Sequence, residues 1–291
     1  MQRTLRFVEE NQILLLIMRT HFLFLFICIS CSSHAQKKEI KTKIYPDEKL
    51  VTEKYLTNGA HKYNYFSREW QIYLDSAIQM NPTVAYYYQQ KAMPLFKQRK
   101  YETGIPFLNK AVQLDSLQYI DYQAFMKCIF SKDYSGAIND FKLSKRIKGE
   151  YAHVMDHSYD FYTGLCYLQL NDFKKAVDHI TRSIEYTKKT SGNSWVHYLD
   201  LFYLGIAYME LENYQEAIKF FDQSLAVYTN FSDAEYYKAL SVAKLAKFDE
   251  ATELLKQSAA HFKQGYTINE DNVYYEKSPY QVFSYFFPTE N

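Results

Sequence analysis

The feature that most constrains this chain is a sequence period of about 34 residues. The segments YQEAIKFFDQSLAVY (214–228) and FDEATELLKQSAAHF (248–262) share an aromatic residue, an Ala three positions on, apolar residues at helical spacing and then Ser. Their alanines, Ala217 and Ala251, stand 34 positions apart. The same element recurs as FKKAVDHITRSI (173–184), YSGAINDFKLSK (134–145) and YETGIPFLNKAV (101–112). A preceding element recurs too: FYTGLCYLQL (161–170) and FYLGIAYMEL (202–211) both carry Gly with an aromatic three residues on. A unit of this length is a pair of helices that cannot bury its apolar face alone, so neighbouring copies must stack into a continuous core. Composition agrees. Only 8 Gly and 6 Pro occur in 291 residues, with 47% hydrophobic residues. Few breakers favour helices and argue against Gly-rich nucleotide-binding loops and propellers. Few glycines also predict few turns of positive φ.

In this register the pattern resembles the tetratricopeptide repeat, with copies at 85–117, 118–151, 157–190, 198–231 and 232–265. Position 8 is Ala92, Gly164, Gly205 and Ala239, with Phe125 in the second copy. Position 20 is Gly104, Ala137, Ala176, Ala217 and Ala251, and position 24 is Leu108, Phe141, Ile180, Phe221 and Leu255. Small residues at 8 and 20 let the two helices, A and B, approach closely while large residues fill the space beside them. Residues 67–82 read as helix B of a sixth, degenerate copy, so the repeats occupy 51–265 with the degenerate one near 51–84. The resemblance implies an all-α, right-handed superhelical solenoid of about five to six helix-turn-helix repeats with a C-terminal capping helix. Pro94 and Pro106 fall inside assigned helices, where a kink or a shifted boundary is expected.

The two ends read differently. Residues 22–30 form a short apolar core after Arg19, and small residues follow, which is the layout of an export signal. Translation from Met18 gives this layout more cleanly than from Met1. The leader is placed at 1–35, with cleavage after Ala35, or alternatively with Cys31 as a lipidated first residue. Residues 36–50 are then a linker. Beyond the leader the chain has 31 basic and 31 acidic residues and only two cysteines, Cys128 and Cys166. That balance lacks the electrostatic footprint of a nucleic-acid binder, and two cysteines make no disulfide framework. At the other end, 266–291 is an aromatic cap. Ser278-Pro279-Tyr280-Gln281 has the order of a capping box, predicting a helix over 279–287.

No hydrolase, nucleotide or thiol-redox signature occurs, and no cofactor is expected. One run, His153-Val154-Met155-Asp156-His157, would on a helix bring His153, Asp156 and His157 towards one metal ion. The bland reading is polar residues at a repeat junction. The resemblance also implies a concave face lined by helix A. Its positions 5 and 9 include Gln89, Tyr122, Met126, Phe161, Leu165, Phe202, Ile206 and Tyr236. The Lys and Asn residues of a peptide-carboxylate clamp are missing, and an apolar, aromatic groove suits a segment with large side chains. The expected function is a non-enzymatic scaffold in the bacterial cell envelope, periplasmic or anchored through a lipid on Cys31. Its partner would be a protein or peptide segment. Three alternatives remain open: a metal-dependent hydrolase at the HxxDH run, a self-assembling repeat protein, and a groove filled by the chain's own termini.

Overall fold

The computed structural model describes residues 44–287; the leader, the start site and Cys31 lie outside them. Among the described residues twelve α-helices follow one another: α1 (Glu48–Thr52), α2 (Arg68–Met80), α3 (Ala85–Lys97), α4 (Tyr101–Leu114), α5 (Ser116–Met126), α6 (Tyr134–Lys148), α7 (Tyr159–Gln169), α8 (Phe173–Thr190), α9 (Tyr198–Glu210), α10 (Tyr214–Val227), α11 (Ser232–Lys244) and α12 (Phe248–Lys263). A hairpin of β1 (His153–Val154) and β2 (His157–Ser158) interrupts them before α7. Each helix packs on the next in sequence, and the closest pairs are α3–α4 through α11–α12. The fold is therefore an all-α tetratricopeptide-type solenoid, with odd-numbered helices from α3 onward as A and even-numbered ones as B.

The packing rule is visible at the glycines. A Cβ on Gly205 would stand 2.7 Å from the Phe221 ring, and one on Gly164 would stand 2.5 Å from Ile180 Cγ1. These are contacts between positions 8 and 24 of one repeat, so helix A rests directly on the large side chain of helix B. Gly104, at position 20, meets Phe96 in the same way. A buried serine adds a polar tie: Ser224 Oγ donates to Tyr198 O at 2.9 Å, and Ser258 Oγ to Ser232 O at 2.7 Å. Each such bond fastens helix B to the first residue of its own helix A.

Glycine scarcity does not remove left-handed turns. Arg99, Lys132, Asn171, Glu212 and Ala246 all have φ between 58 and 60°. Each sits at the same place, between helix A and helix B, one residue before the N-cap of B. At Asp133, Asp172 and Asn213 the capping side chain accepts from the backbone N–H three residues on. The five-fold recurrence shows that the A–B turn imposes αL whatever residue is present, at a cost of roughly 1–2 kcal/mol for a residue with Cβ.

Both prolines lie within continuous helices, so neither boundary shifts. Pro94 cannot donate to Gln90 O. Trp70 Nε1 of α2 donates to that carbonyl instead, at 3.3 Å. Pro106 lies near the start of α4 on its exposed side.

The C-terminal helix predicted over 279–287 is not formed. The segment is extended apart from a 3-10 turn at Ser284–Phe286, and Tyr280 has φ 58°. Half of the capping box survives, because Ser278 N–H donates to Gln281 Oε1 at 3.3 Å. The backbone groups a helix would use internally are taken by the solenoid. Tyr203 Oη donates to Pro279 O at 2.9 Å, and Val282 N–H donates to Asp233 Oδ1 at 2.8 Å.

Two opposite exchanges test this account. Gly164→Ala adds helix propensity yet forces Ile180 aside, and should lower stability by about 1–3 kcal/mol. Ala246→Gly relieves the left-handed turn and should raise the melting temperature modestly. Urea and thermal unfolding measure both; a stabilising Gly164→Ala would overturn the close-approach reading.

Candidate functional site

The A helices present two surfaces of interest, and the chain beyond α12 meets both. The first is the row of predicted groove positions. Phe161, Leu165, Phe202, Ile206 and Met126 are buried, while Gln89, Tyr122 and Tyr236 are half-buried. The five buried residues belong to the main core and offer no free surface. Residues 266–287 run beside the A helices. Tyr198 Oη donates to Asn269 Oδ1 at 2.8 Å, and Tyr280 Oη donates to Glu210 Oε1 at 2.9 Å. Farther back along the solenoid, Arg99 Nη2 donates to Tyr275 O at 3.0 Å and Tyr101 Oη to Glu276. At the other end Phe286 and Phe287 meet Tyr236 edge-on, with Phe287 also against Phe262. Ile268 and Val282 enter the main core. The tail thus touches helices from the α3–α4 turn to α12. It leaves a small cavity of about 150 Å³ near α3 and α5, lined by Met93, Tyr122, Met126 and Tyr275.

Asp233 is the polar anchor of this contact. It is fully buried at the start of α11 and receives the Val282 N–H. Burial pushes its carboxyl up to about 6, against the opposing hydrogen bonds from Val282 N–H and Ser232.

The second surface is a cleft of about 460 Å³ at the junction of α7, α8 and α9, lined by Asp156, His157, Tyr186, Trp195, His197 and Asp200 among others. The HxxDH run does not form a helix here. It is the β1–β2 hairpin, in which Val154 pairs with His157 and His153 with Ser158. Side chains of adjacent strand residues alternate in direction, so the two histidines stand on opposite faces. His153 and Asp156 are exposed and His157 is buried. The run therefore gathers no metal ligands by itself.

His157 instead meets residues distant in sequence. Its Nδ1 is 3.4 Å from Asp200 Oδ2, its Nε2 is 3.7 Å from Glu270 Oε2, and its ring stacks on Phe161 at 3.9 Å. The His197 ring stands perpendicular to it at 4.7 Å. Burial disfavours a charged His157, but Asp200 and Glu270 outweigh it and carry the ring up to about 9. Burial and the neighbouring His157 lower His197. Sequence reasoning missed His197 and Glu270 because neither belongs to a motif. The two cysteines, Cys128 and Cys166, are buried core thiols, and burial pushes the Cys166 thiol far up.

Comparisons with known proteins agree with the fold. A tetratricopeptide-repeat family model matches residues 198–231, which is the α9–α10 pair. No curated protein matches the sequence. Among solved structures, PilW, described as a widely conserved type IV pilus biogenesis factor, is 12% identical with a TM-score of 0.57, covering 74% of this chain and 94% of its own. PilF from Pseudomonas aeruginosa is 12% identical with a TM-score of 0.53, covering 75% and 93%. The Cut9–Hcn1 hetero-tetramer of the APC/C is 17% identical with a TM-score of 0.52, covering 74% of this chain but 39% of that one. At these identities the likeness is one of fold.

The raised Asp233 carboxyl gives a signed pH dependence. The folded state holds its proton up to about pH 6, whereas the unfolded chain releases it near 4. Its contribution to stability therefore falls as pH rises through that window, by about 2–3 kcal/mol. Asp233→Asn keeps an acceptor for Val282 N–H without the buried charge. It should be more stable than the parent at pH 7.5, and the difference should shrink by pH 4.5 in paired urea titrations. An equal difference at both pH values would refute the assignment.

Proposed function

We infer that this chain, a tetratricopeptide-repeat protein, is a non-enzymatic scaffold that holds an extended, aromatic-rich protein segment along its A helices. The observation that carries this reading is the tail itself. The surface already grips an extended strand by main-chain bonds and by aromatic pockets, which is how a peptide-recognition groove works. Tyr203 reads a carbonyl and Asp233 reads an N–H, while Tyr236 and Phe262 receive aromatic side chains. A pre-formed solenoid loses little conformational freedom on binding, so the ordering cost falls mainly on the partner.

The partner segment would share the tail's chemistry and would either extend it over the open cavity at Met93, Tyr122 and Met126 or replace it. Of the predicted contact residues, Gln89, Tyr122 and Tyr236 are the accessible ones and Met126 lines the cavity, while Phe161, Leu165, Phe202 and Ile206 lie within the core of the repeats. The leader reading puts the partner in the cell envelope, with Cys31, outside the described residues, as the lipid anchor in the alternative reading. That the PilW fold neighbour is a pilus biogenesis factor supports an assembly role of this class.

Photo-crosslinking residues placed at Gln89, Tyr122 and Tyr236 in living cells test the surface. Discrete adducts are expected there and not at Phe248, which is exposed on helix B. Adducts at Phe248 alone would reject it. N-terminal sequencing of the cell-derived protein should find Gln36 or a blocked, lipidated Cys31; an intact N-terminus would reject the envelope reading.

A further inference from the structure

Three separate elements converge beside the α7–α9 cleft, whose lining includes His157 and His197. His157 comes from β2, His197 is the N-cap of α9, and Glu270 heads the tail just before its 3-10 turn at Asp271–Tyr274. One ligand-capable atom from each lies within 4.8 Å of the other two. His157 Nε2 is buried and has no hydrogen-bond partner. Its 3.7 Å separation from Glu270 Oε2 is too long for a hydrogen bond. It is close to the ~3.4 Å that separates two ligands held tetrahedrally at ~2.0–2.1 Å from one ion.

We propose that His157 Nε2, His197 and Glu270 form a binding site for a divalent transition metal of the zinc class. Two imidazoles and one carboxylate suit Zn²⁺, whereas Ca²⁺ and Mg²⁺ require a larger shell of oxygens. The surroundings supply what such a site needs. Asp200 stands behind His157 on the Nδ1 side, as the carboxylate of a carboxylate–histidine–metal arrangement does. Asp200 is itself fixed, because Ser183 Oγ donates to its Oδ1 at 2.7 Å and bonds Ser158 Oγ at 2.8 Å. The Phe161 ring stacked at 3.9 Å sets the plane of His157. Three protein ligands leave a fourth position for water or a ligand group. One existing contact must yield. His197 Nδ1 accepts a long 3.3 Å bond from Leu199 N–H, and ligation takes that lone pair or turns the ring.

The site has a mechanical consequence. Glu270 belongs to the tail, while His157 and His197 belong to the repeats, so the ion pins the tail where it enters the A-helix row. The metal site itself does not rest on the partner reading proposed above.

The test uses the purified chain, stripped by a chelator and titrated with Zn²⁺ by calorimetry, and with Co²⁺ by visible absorption. One ion per chain is expected, with the intense Co²⁺ bands of a four-coordinate centre. Glu270→Gln and His197→Gln should abolish stoichiometric binding. Asp200→Asn should weaken it by about 10- to 100-fold. His153→Ala should leave it unchanged. Because His157 is buried, the two variants at half-buried positions carry the test, with circular dichroism confirming their fold. Zn²⁺ should also slow trypsin cleavage after the exposed Lys277 in the parent but not in Glu270→Gln. Failure of the parent to bind Zn²⁺ would overturn the proposal and leave a metal-free charge cluster. So would equal affinity in parent and Glu270→Gln, or loss of binding in His153→Ala.

Discussion

Everything in this solenoid depends on the direct seating of helix A on the large side chain of helix B. At Gly205 and Gly164 no room exists even for a methyl group, since Phe221 and Ile180 already occupy it. Such contacts fix the spacing of each pair and so fix where the next pair can stack. Helix A adds large apolar residues to the same core, Phe161, Leu165, Phe202 and Ile206 among them, and the Phe202 ring packs on Phe221 itself. The tail joins this core, entering it with Ile268 and Val282.

How the tail meets the repeats explains why it is extended and not helical. An α-helix satisfies its own backbone, so it would bring only side chains to the surface. The extended segment brings its backbone as well, and the repeats answer with Tyr203, Asp233 and Arg99. The local signal for a helix at Ser278–Gln281 was real, and its Gln281 bond is made. It is outweighed by contacts that exist only once the repeats are stacked. Tyr280 pays the left-handed conformation in exchange for its hydroxyl bond to Glu210 and its ring contact with Tyr237.

The same division separates what is legible in the sequence from what is not. The repeats are legible because their determinants are local and recur: Ala217 and Ala251 hold the same slot in consecutive copies. The recurring left-handed turn is less legible, because Arg99, Lys132, Asn171, Glu212 and Ala246 have no chemistry in common and glycine count gives the wrong expectation. The tail's path is illegible, since single contacts join positions 176 apart, as at Arg99 and Tyr275. The polar cluster fails for a related reason. His153 and His157 look like partners at helical spacing, yet the hairpin sends them to opposite faces. The true neighbours of His157 come from the N-cap of α9 and from the tail.

Tyrosine content acquires a physical meaning from these contacts. The chain has 29 Tyr, and a tyrosine joins a large apolar body to a polar tip that seeks a partner when buried. Tyr159 donates to Asp121 of α5, and Tyr87 donates to Glu48 O at the N-terminal end. Tyr198 and Tyr203 reach the tail from α9, and Tyr280 reaches back from the tail to α9. In each case the hydroxyl bonds an element other than the one that carries the ring. Phenylalanine in the same places would keep the ring packing but would lose these hydroxyl bonds. The solenoid stacks on apolar contacts between neighbours, and the tyrosine hydroxyls supply the longer-range ties that hold the tail in one register along it.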